Sequence, residues 1–287
     1  MLRAWLGGNM DDIAIAVRSS TIVRTLAVLA ALLVAVGTAL ELVKFLTGHD
    51  HVFGLSRLFN LGLERNLPTF YSVVLLLCAF LLLALIAMLE QRGGRRDVAR
   101  WAVLAIGFLC MAIDEACSFH EALDVSIRAR FEGVRFGLLY YVWVVPAGVL
   151  VAVLGLYFLG FLRRLPAATA RAFIVAAVIY LGGAMGVELF EGRIHEASGP
   201  QSLEYALLVA VEEGMEMAGV ILFIHALLGY LGRQHPQFRI RIELPAGQAE
   251  LRRSDADHHV GKPQFPPAVA LGVGGKVLWR SNLRRRE

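Results

Sequence analysis

Six stretches of this chain are almost wholly apolar and long enough to cross a lipid bilayer. A bilayer core requires about 20 apolar residues in a helix, and 57% of the 287 residues are hydrophobic while only 18% are charged. Backbone polar groups find no water in lipid, so each stretch must form a helix. The sequence therefore predicts an all-α, polytopic transmembrane helix bundle with six spans, at about 22–46, 69–89, 101–120, 137–161, 171–191 and 204–231.

Arginines in two connections between spans predict the orientation of the bundle. The connections 90–100 and 162–171 hold four and three arginines, and short loops rich in positive charge stay in the cytoplasm. We therefore expect both connections, and both termini, on the cytoplasmic side. Residues 1–231 are the predicted membrane domain, and residues 232–287 are predicted to form a basic, flexible cytoplasmic tail.

Eight carboxylates lie in or next to three of these spans, and no lysine or arginine separates the members of any one group. A charged side chain at the bilayer centre costs about 2.5–3.5 kcal/mol on insertion scales, so such residues face a polar interior and mark function. In the predicted orientation all three groups reach the outer half of the bilayer. We expect one convergent site that opens to the extracytoplasmic side, formed by Asp114, Glu115, Glu121, Glu188, Glu191, Glu212, Glu213 and Glu216.

The end of the third span carries an acidic motif with a histidine. A continuous helix would place Asp114, Ser118 and Glu121 on one stripe, with His120 at its edge. Glu115 would point about 100° away from Asp114. Asp114, His120 and Glu121 are therefore favoured over Glu115 for a shared centre. A histidine ring can bind a metal while a carboxylate holds its other nitrogen.

The fifth span ends in a second stripe of possible ligands. Glu188, Glu191 and His195 are spaced i, i+3 and i+7, which brings all three within about 60° of one another on a helix. This spacing is typical of a ligand stripe or a hydrated stripe. For His195 a solvated position beyond the helix is an equal alternative.

The sixth span begins with three glutamates on neighbouring faces. Glu212 and Glu216 are one turn apart, and Glu213 lies about 60° from Glu216. Ionised together in a low-dielectric site, these groups would repel one another. They are therefore expected to share protons or to bind a cation.

Other polar and aromatic residues are predicted to be structural. Pro68 suits the first turn of a helix that begins after Asn66, and His225 belongs to the inner half of the sixth span. Cys117 is open between packing and a ligand role, because it lies inside the acidic motif. Three aromatic residues before the fourth helix predict an interfacial belt, namely Tyr140, Tyr141 and Trp143.

Three motifs together resemble a group of uncharacterised bacterial six-span membrane proteins. They are Asn66-Leu-Pro-Thr69, Asp114-Glu-Ala-Cys-Ser-Phe-His-Glu121 and Glu212-Glu-Gly-Met-Glu-Met-Ala-Gly219. The resemblance implies a multi-pass protein of the bacterial inner membrane and implies no activity. The pair Glu212 and Glu213 is also similar to the Glu-Glu-x-x-x-Arg motif of CAAX-processing membrane proteases. Met217 replaces that arginine and the family's Phe-x-x-x-His motif is missing, so this second match is set aside.

Carboxylates with one or two histidines favour a divalent transition metal, namely zinc, iron or manganese. The leading hypothesis is a metal-dependent membrane hydrolase whose site faces the outer leaflet and acts on a lipid-like substrate. A di-iron oxidoreductase is less favoured, because the paired Glu-x-x-His motifs of ferritin-like proteins are absent. The predicted ligands are Asp114, His120, Glu188, Glu191, His195, Glu212 and Glu216, and the predicted catalytic residues are Glu121, Glu213 and Ser118.

Two other functions are compatible with the same residues. Intramembrane carboxylates also carry protons or pass cations in transporters and channels, although the inner halves of the acidic spans are almost wholly apolar. A sensor or assembly factor could bind an ion or a lipid without chemistry. No nucleic-acid-binding signature is present, so membrane lipid is the expected partner.

Overall fold

The computed structural model describes residues 18–48, 54–131 and 134–236, and within these ranges the chain is helical and has no strand. The predicted all-α fold is therefore confirmed. Most of the basic tail, residues 237–287, lies outside the described residues. The helices in this part of the chain are α1 (Ser19–Thr47), α2 (Ser56–Phe59), α3 (Leu67–Arg92), α4 (Val98–Cys117), α5 (Phe119–Arg128), α6 (Val144–Arg164), α7 (Ala167–Leu181), α8 (Glu188–Ser198) and α9 (Leu203–Gln234).

Four helical segments are long and apolar enough to cross a membrane: α1, α3, α6 and the continuous segment Ala167–Ser198. The count rises to five if α4 and α5, which meet at an angle of 64°, form one broken span. A helix lies at each of the six predicted positions, but α9 does not belong to these candidate spans. Six spans and two cytoplasmic termini therefore stay a prediction.

Two predicted spans have different bounds in the structure. The span expected at 137–161 begins only at Val144, because Gly137 has a positive φ of 58° and the residues up to Trp143 form a short 3₁₀ helix (Gly137–Leu139) and turns. The span expected at 171–191 extends to Ser198 through a π-helical turn, Gly182–Val187, that joins α7 to α8. Such π-turns often occur at functional sites.

Helix α9 is the centre of the bundle and packs against α1, α3, α7 and α8. The largest apolar cluster in the described residues lies where α9 meets α3, α4 and α7. There the Trp101 ring is 1% exposed and packs at right angles to Phe161, with ring centroids 5.0 Å apart. In lipid such rings stabilise helix contacts through close van der Waals packing, because lipid tails are as apolar as the side chains themselves. The apolar cluster therefore fixes the helices on which the polar residues are carried.

Glycines allow α9 to approach the π-turn and α7 closely. A Cβ atom at Gly219 would lie 2.8 Å from the backbone nitrogen of Tyr180, and one at Gly183 would lie 2.9 Å from the carbonyl oxygen of Glu212. Real Cβ atoms do not approach other atoms so closely. Small residues at helix contacts permit this spacing in membrane bundles, and here they bring the acidic start of α9 beside α8.

Candidate functional site

The acidic motif after α4 folds back on itself instead of continuing as one helix. Ser118 adopts a left-handed conformation, with φ of 53°, and turns the chain by 64° into α5. The predicted stripe of Asp114, Ser118 and Glu121 is therefore wrong, because it requires a continuous helix over 101–120. Ser118 makes the bend, and the exposed residue Glu121 lies in the first turn of α5.

The bend creates a close pair between a carboxylate and a histidine. The Nδ1 atom of His120 lies 2.7 Å from Oδ2 of Asp114, and the backbone N–H of His120 donates to Oδ1 of the same carboxylate at 3.1 Å. Two contacts from one residue hold the imidazole ring in a fixed orientation. The other ring nitrogen, Nε2, is left to act on neighbouring groups, as in the carboxylate and histidine pairs of metal sites.

On α8, Glu188 and Glu191 are buried, with exposed fractions of 7% and 3%. The indole Nε1 of Trp143 donates a hydrogen bond to Oε1 of Glu188 at 2.7 Å. The other oxygen of Glu188, Oε2, is buried and has no hydrogen-bond partner within the described residues. A buried, unpartnered carboxylate oxygen is costly and is the kind of atom that a bound cation or a proton would satisfy.

Glu191 lies against Glu212 of α9, and the two carboxyl groups are hydrogen-bonding neighbours. No N–H or O–H group in the described part of the chain donates to Oε1 of Glu191. Two ionised carboxylates have no proton to place between them. This contact is therefore stable only when the pair holds a shared proton or a cation.

Two more glutamates of α9 face the acidic motif of α4. Glu213 and Glu216 interact electrostatically with Glu115, which the helical spacing directed away from Asp114. The hydroxyl of Tyr180 is a hydrogen-bonding neighbour of Glu216. Carboxylates from α4, α8 and α9 thus belong to one electrostatic group, and Glu115 is part of it.

A further carboxylate joins this group from the loop before α3. Glu64 interacts with Glu121, His120 and Asp114, and burial raises the pKa of its carboxyl, with the nearby Glu121 charge adding to the effect. Its loop is held by Asn66, whose side chain accepts the N–H of Thr69 and caps α3. The expected helix start at Asn66 and Pro68 is thus confirmed. It also positions Glu64, which sequence reasoning did not assign to the site.

His195 is separated from the carboxylates by tyrosines. Its ring stacks on Tyr140, with centroids 4.5 Å apart, and its Nδ1 lies 3.3 Å from the hydroxyl of Tyr141. The Tyr141 hydroxyl is 2.8 Å from that of Tyr205, and burial raises the pKa of Tyr141, so the Tyr141 hydroxyl stays protonated. His195 lies inside α8, not in a loop beyond it. The described residues contain no hydrogen bond between His195 and Glu188 or Glu191. A metal site shared by His195 and these carboxylates therefore stays a prediction.

The predicted aromatic belt makes polar contacts that sequence reasoning missed. Trp143 bonds Glu188, and its backbone N–H donates to the buried carboxylate of Asp124 at 2.9 Å. The sequence signal for these contacts would have been aromatic residues that carry a hydrogen-bond donor near segments that contain buried acids. Asp124 itself was not singled out, because it lies in a polar segment where an acid is unremarkable by composition.

The predicted metal ligands come together in pairs. Asp114 pairs with His120 and Glu191 with Glu212, but no three His, Cys, Asp or Glu side chains in the described ranges are grouped so that they could hold one metal ion. Cys117 is exposed and free. The divalent metal therefore stays a prediction.

Comparison with known proteins identifies one family. A family model described as a domain of unknown function (DUF8692) matches residues 23–231, which is more than half of the chain. No curated protein matches the sequence, and no solved structure matches it.

Proposed function

Since the chain belongs to the DUF8692 family, whose description names no activity, we propose its function from the geometry of its own residues. The proposal is an integral membrane enzyme with a cation-binding carboxylate site that acts on a lipid-type substrate. The observation that carries it is the contact between the buried carboxyl group of Glu191 and the half-buried one of Glu212, one turn from the unpartnered Oε2 atom of Glu188.

The energetics favour a bound cation over a purely structural role. A buried oxygen without a donor costs about 1–3 kcal/mol, and a bound ligand can offset this cost. Here Glu188 Oε2 and Glu191 Oε1 both lack a donor within the described residues. A cation between α8 and α9 would satisfy both oxygens and offset the clustered negative charge.

The proposed ion is a divalent transition metal, namely zinc, iron or manganese. Glu188, Glu191 and Glu212 would hold it only after their side chains rotate toward one centre, because no three such groups converge in the described residues. Such an ion polarises a substrate carbonyl or activates water. Glu213, half-buried near Glu216, is then suited to act as a general base, and His120, oriented by Asp114, is suited to donate a proton.

The proposed access to the site is from one membrane face, the extracytoplasmic side of a bacterial inner membrane. The arginine-rich connections 90–100 and 162–171 support this orientation. Below the site the helices meet through apolar contacts, such as the stacked rings of Phe108 and Phe223 at 4.7 Å. An acidic site on one side of an apolar core is more typical of an enzyme that receives its substrate from the lipid than of a channel that crosses the whole membrane.

Proton-coupled transport is the second candidate, and one observation favours it. The contact between Glu191 and Glu212 needs only a shared proton, and carboxylates that exchange protons are common in pumps and transporters. In that case release and uptake of the shared proton would accompany movement of α8 relative to α9.

Elemental analysis of the purified protein separates these candidates. Wild type, Glu188→Gln and Glu212→Gln are purified in detergent without added metal, with the exposed Glu204→Gln on α9 as the matched control. A near-stoichiometric transition metal in wild type and Glu204→Gln, lost in the other two variants, supports the metal site. A folded, metal-free wild type overturns it. Proton uptake into vesicles that contain wild type but not Glu212→Gln would then establish the transport function.

The hydrolase part of the proposal needs its own measurement. The metal-loaded protein is incubated in vesicles of phosphatidylglycerol and phosphatidylcholine, and released fatty acid or headgroup is measured by mass spectrometry. We expect release by wild type and Glu204→Gln, and a loss of at least about 100-fold in Glu213→Gln if this residue is the base. Equal release by wild type and Glu188→Gln would contradict the proposed site.

A further inference from the structure

A separate cavity lies on the far side of α8 from the acidic cluster. It has a volume of about 390 Å³ and opens to the surface between α8 and the short helix Gly137–Leu139. Arg193 follows Glu191 by two residues, which places it about 160° around the helix from that carboxylate. The residues that line the cavity are Arg135, Gly137, Leu138, Arg193, Glu196 and Ala197.

Two arginines and one glutamate line this cavity, so its lining carries a net positive charge. Neither Arg135 nor Arg193 forms a hydrogen bond or an ion pair with another residue of the described ranges. The one carboxylate in the cavity offsets only one of these two positive charges, so an additional anion near the guanidinium groups is favoured. Guanidinium groups have the planar donor geometry that matches phosphate and carboxylate oxygens.

The acid in the same cavity is already bonded. Glu196 accepts the backbone N–H of Phe136 at 2.8 Å and that of Gly137 at 3.0 Å, one with each oxygen. These two bonds occupy both carboxylate oxygens and hold the loop before α6 against α8. The arginines are thereby left as the donors that face an incoming ligand.

From this arrangement we infer that Arg135 and Arg193 bind the phosphate group of an anionic ligand. The exposed side chains of Leu138 and Leu139 lie beside the cavity, with exposed fractions of 44% and 47%. Apolar side chains next to a basic cavity at the end of a membrane helix suit a lipid headgroup, whose acyl chains continue into the bilayer. Free phosphate shares the same binding chemistry and is the other source.

Native mass spectrometry of the detergent-purified protein tests this site. The probes are phosphatidylglycerol, phosphatidylcholine and inorganic phosphate, each added alone. The test variant is Arg135→Gln with Arg193→Gln, and the control is Arg96→Gln with Arg163→Gln, which removes the same charge at exposed positions outside the cavity. Circular dichroism checks that both variants are folded.

We expect wild type and control to retain phosphatidylglycerol. The test variant should bind it at least about tenfold more weakly, because charge-assisted hydrogen bonds to the phosphate are lost. Binding of inorganic phosphate that depends on the same arginines would identify free phosphate as the source and would also support the site. Equal binding by the test variant and the control, or no binding of either anion by wild type, would overturn the inference.

Discussion

The indole Nε1 of Trp143 donates a hydrogen bond of 2.7 Å to Oε1 of Glu188, and this bond ties the turn before α6 to the acidic face of α8. The Trp143 backbone is held as well, because its N–H donates to Asp124 of α5. One residue thus joins three elements around the carboxylate cluster. Its position fixes which oxygen of Glu188 remains free.

The first prediction concerns this bond. Trp143→Phe keeps an aromatic ring but removes the donor, so we expect a loss of about 1–3 kcal/mol in the free energy of unfolding. Equilibrium unfolding in detergent measures it. In a double-mutant cycle with Glu188→Leu, which removes the acceptor, a coupling above about 0.5 kcal/mol indicates a direct interaction, whereas strictly additive effects would contradict it.

The second prediction concerns the close helix contact that aligns the acidic residues. Gly219→Ala would place a Cβ atom 2.8 Å from the backbone of Tyr180, and overpacking of this kind costs about 1–3 kcal/mol. The control is Gly155→Ala in α6, where no atom lies within 4 Å of the new Cβ. There the better helix propensity of alanine should be neutral or stabilising. Equal unfolding temperatures for the two variants would argue against the contact.

The third prediction is a pH dependence at Glu64. Burial raises the pKa of this carboxyl above its ordinary value of 4.5, so folding favours its protonated form. At pH values below 4.5 the carboxyl is protonated in both states and has no effect, while at higher pH the ionised form destabilises the fold. Glu64→Gln should therefore raise the unfolding temperature at neutral pH but not at pH 4. A gain that is equal at both pH values, or also seen for Glu204→Gln, would contradict this cause.

The acidic cluster shows which parts of the site could be predicted from the sequence. Three acidic groups in apolar segments indicated that their side chains meet, because burying them separately would be too costly. The bend at Ser118 could not be predicted in this way, since left-handed backbone is rare for serine and depends on the contact between Asp114 and His120. The same bend explains why the stripe through Glu121 was wrong.

Glu90 illustrates a different limit of sequence reasoning. It lies near the end of α3 and is the first residue of the arginine-rich connection 90–100. Its position there predicts an exposed side chain, yet Glu90 is only 3% exposed. Its Oε1 atom accepts from Arg95 of the following loop at 3.1 Å and from two distant residues, Tyr230 at 3.0 Å and His235 at 3.1 Å. Periodicity within one segment carries no information about such contacts between the ends of α3 and α9.

The fourth prediction follows from this convergence. Glu90→Leu leaves the Tyr230 hydroxyl without its acceptor in a buried place, so we expect a loss of about 1–3 kcal/mol of unfolding free energy. Glu90→Gln keeps an acceptor oxygen and should lose less. Thermal unfolding of both variants, compared with the exposed Glu204→Gln, measures the difference. If Glu90→Leu unfolds at the wild-type temperature, the contacts do not stabilise the end of the bundle.

The fifth prediction tests whether Glu191 and Glu212 share a proton or a cation. Glutamine at either position can donate its amide N–H to the remaining carboxylate, so Glu191→Gln and Glu212→Gln should each fold with little loss of stability. Glu191→Leu should instead cost about 1–3 kcal/mol, because it leaves the half-buried carboxyl of Glu212 without its hydrogen-bonding neighbour. A metal-free pair that shares a proton has a carboxylic acid C=O band in the infrared spectrum, which both glutamine variants should lose and Glu204→Gln should retain.

If the band is absent from metal-free wild type while the fold is intact, the two groups do not share a proton. If Glu191→Gln is as unstable as Glu191→Leu, the contact between α8 and α9 does not depend on a hydrogen bond between these side chains.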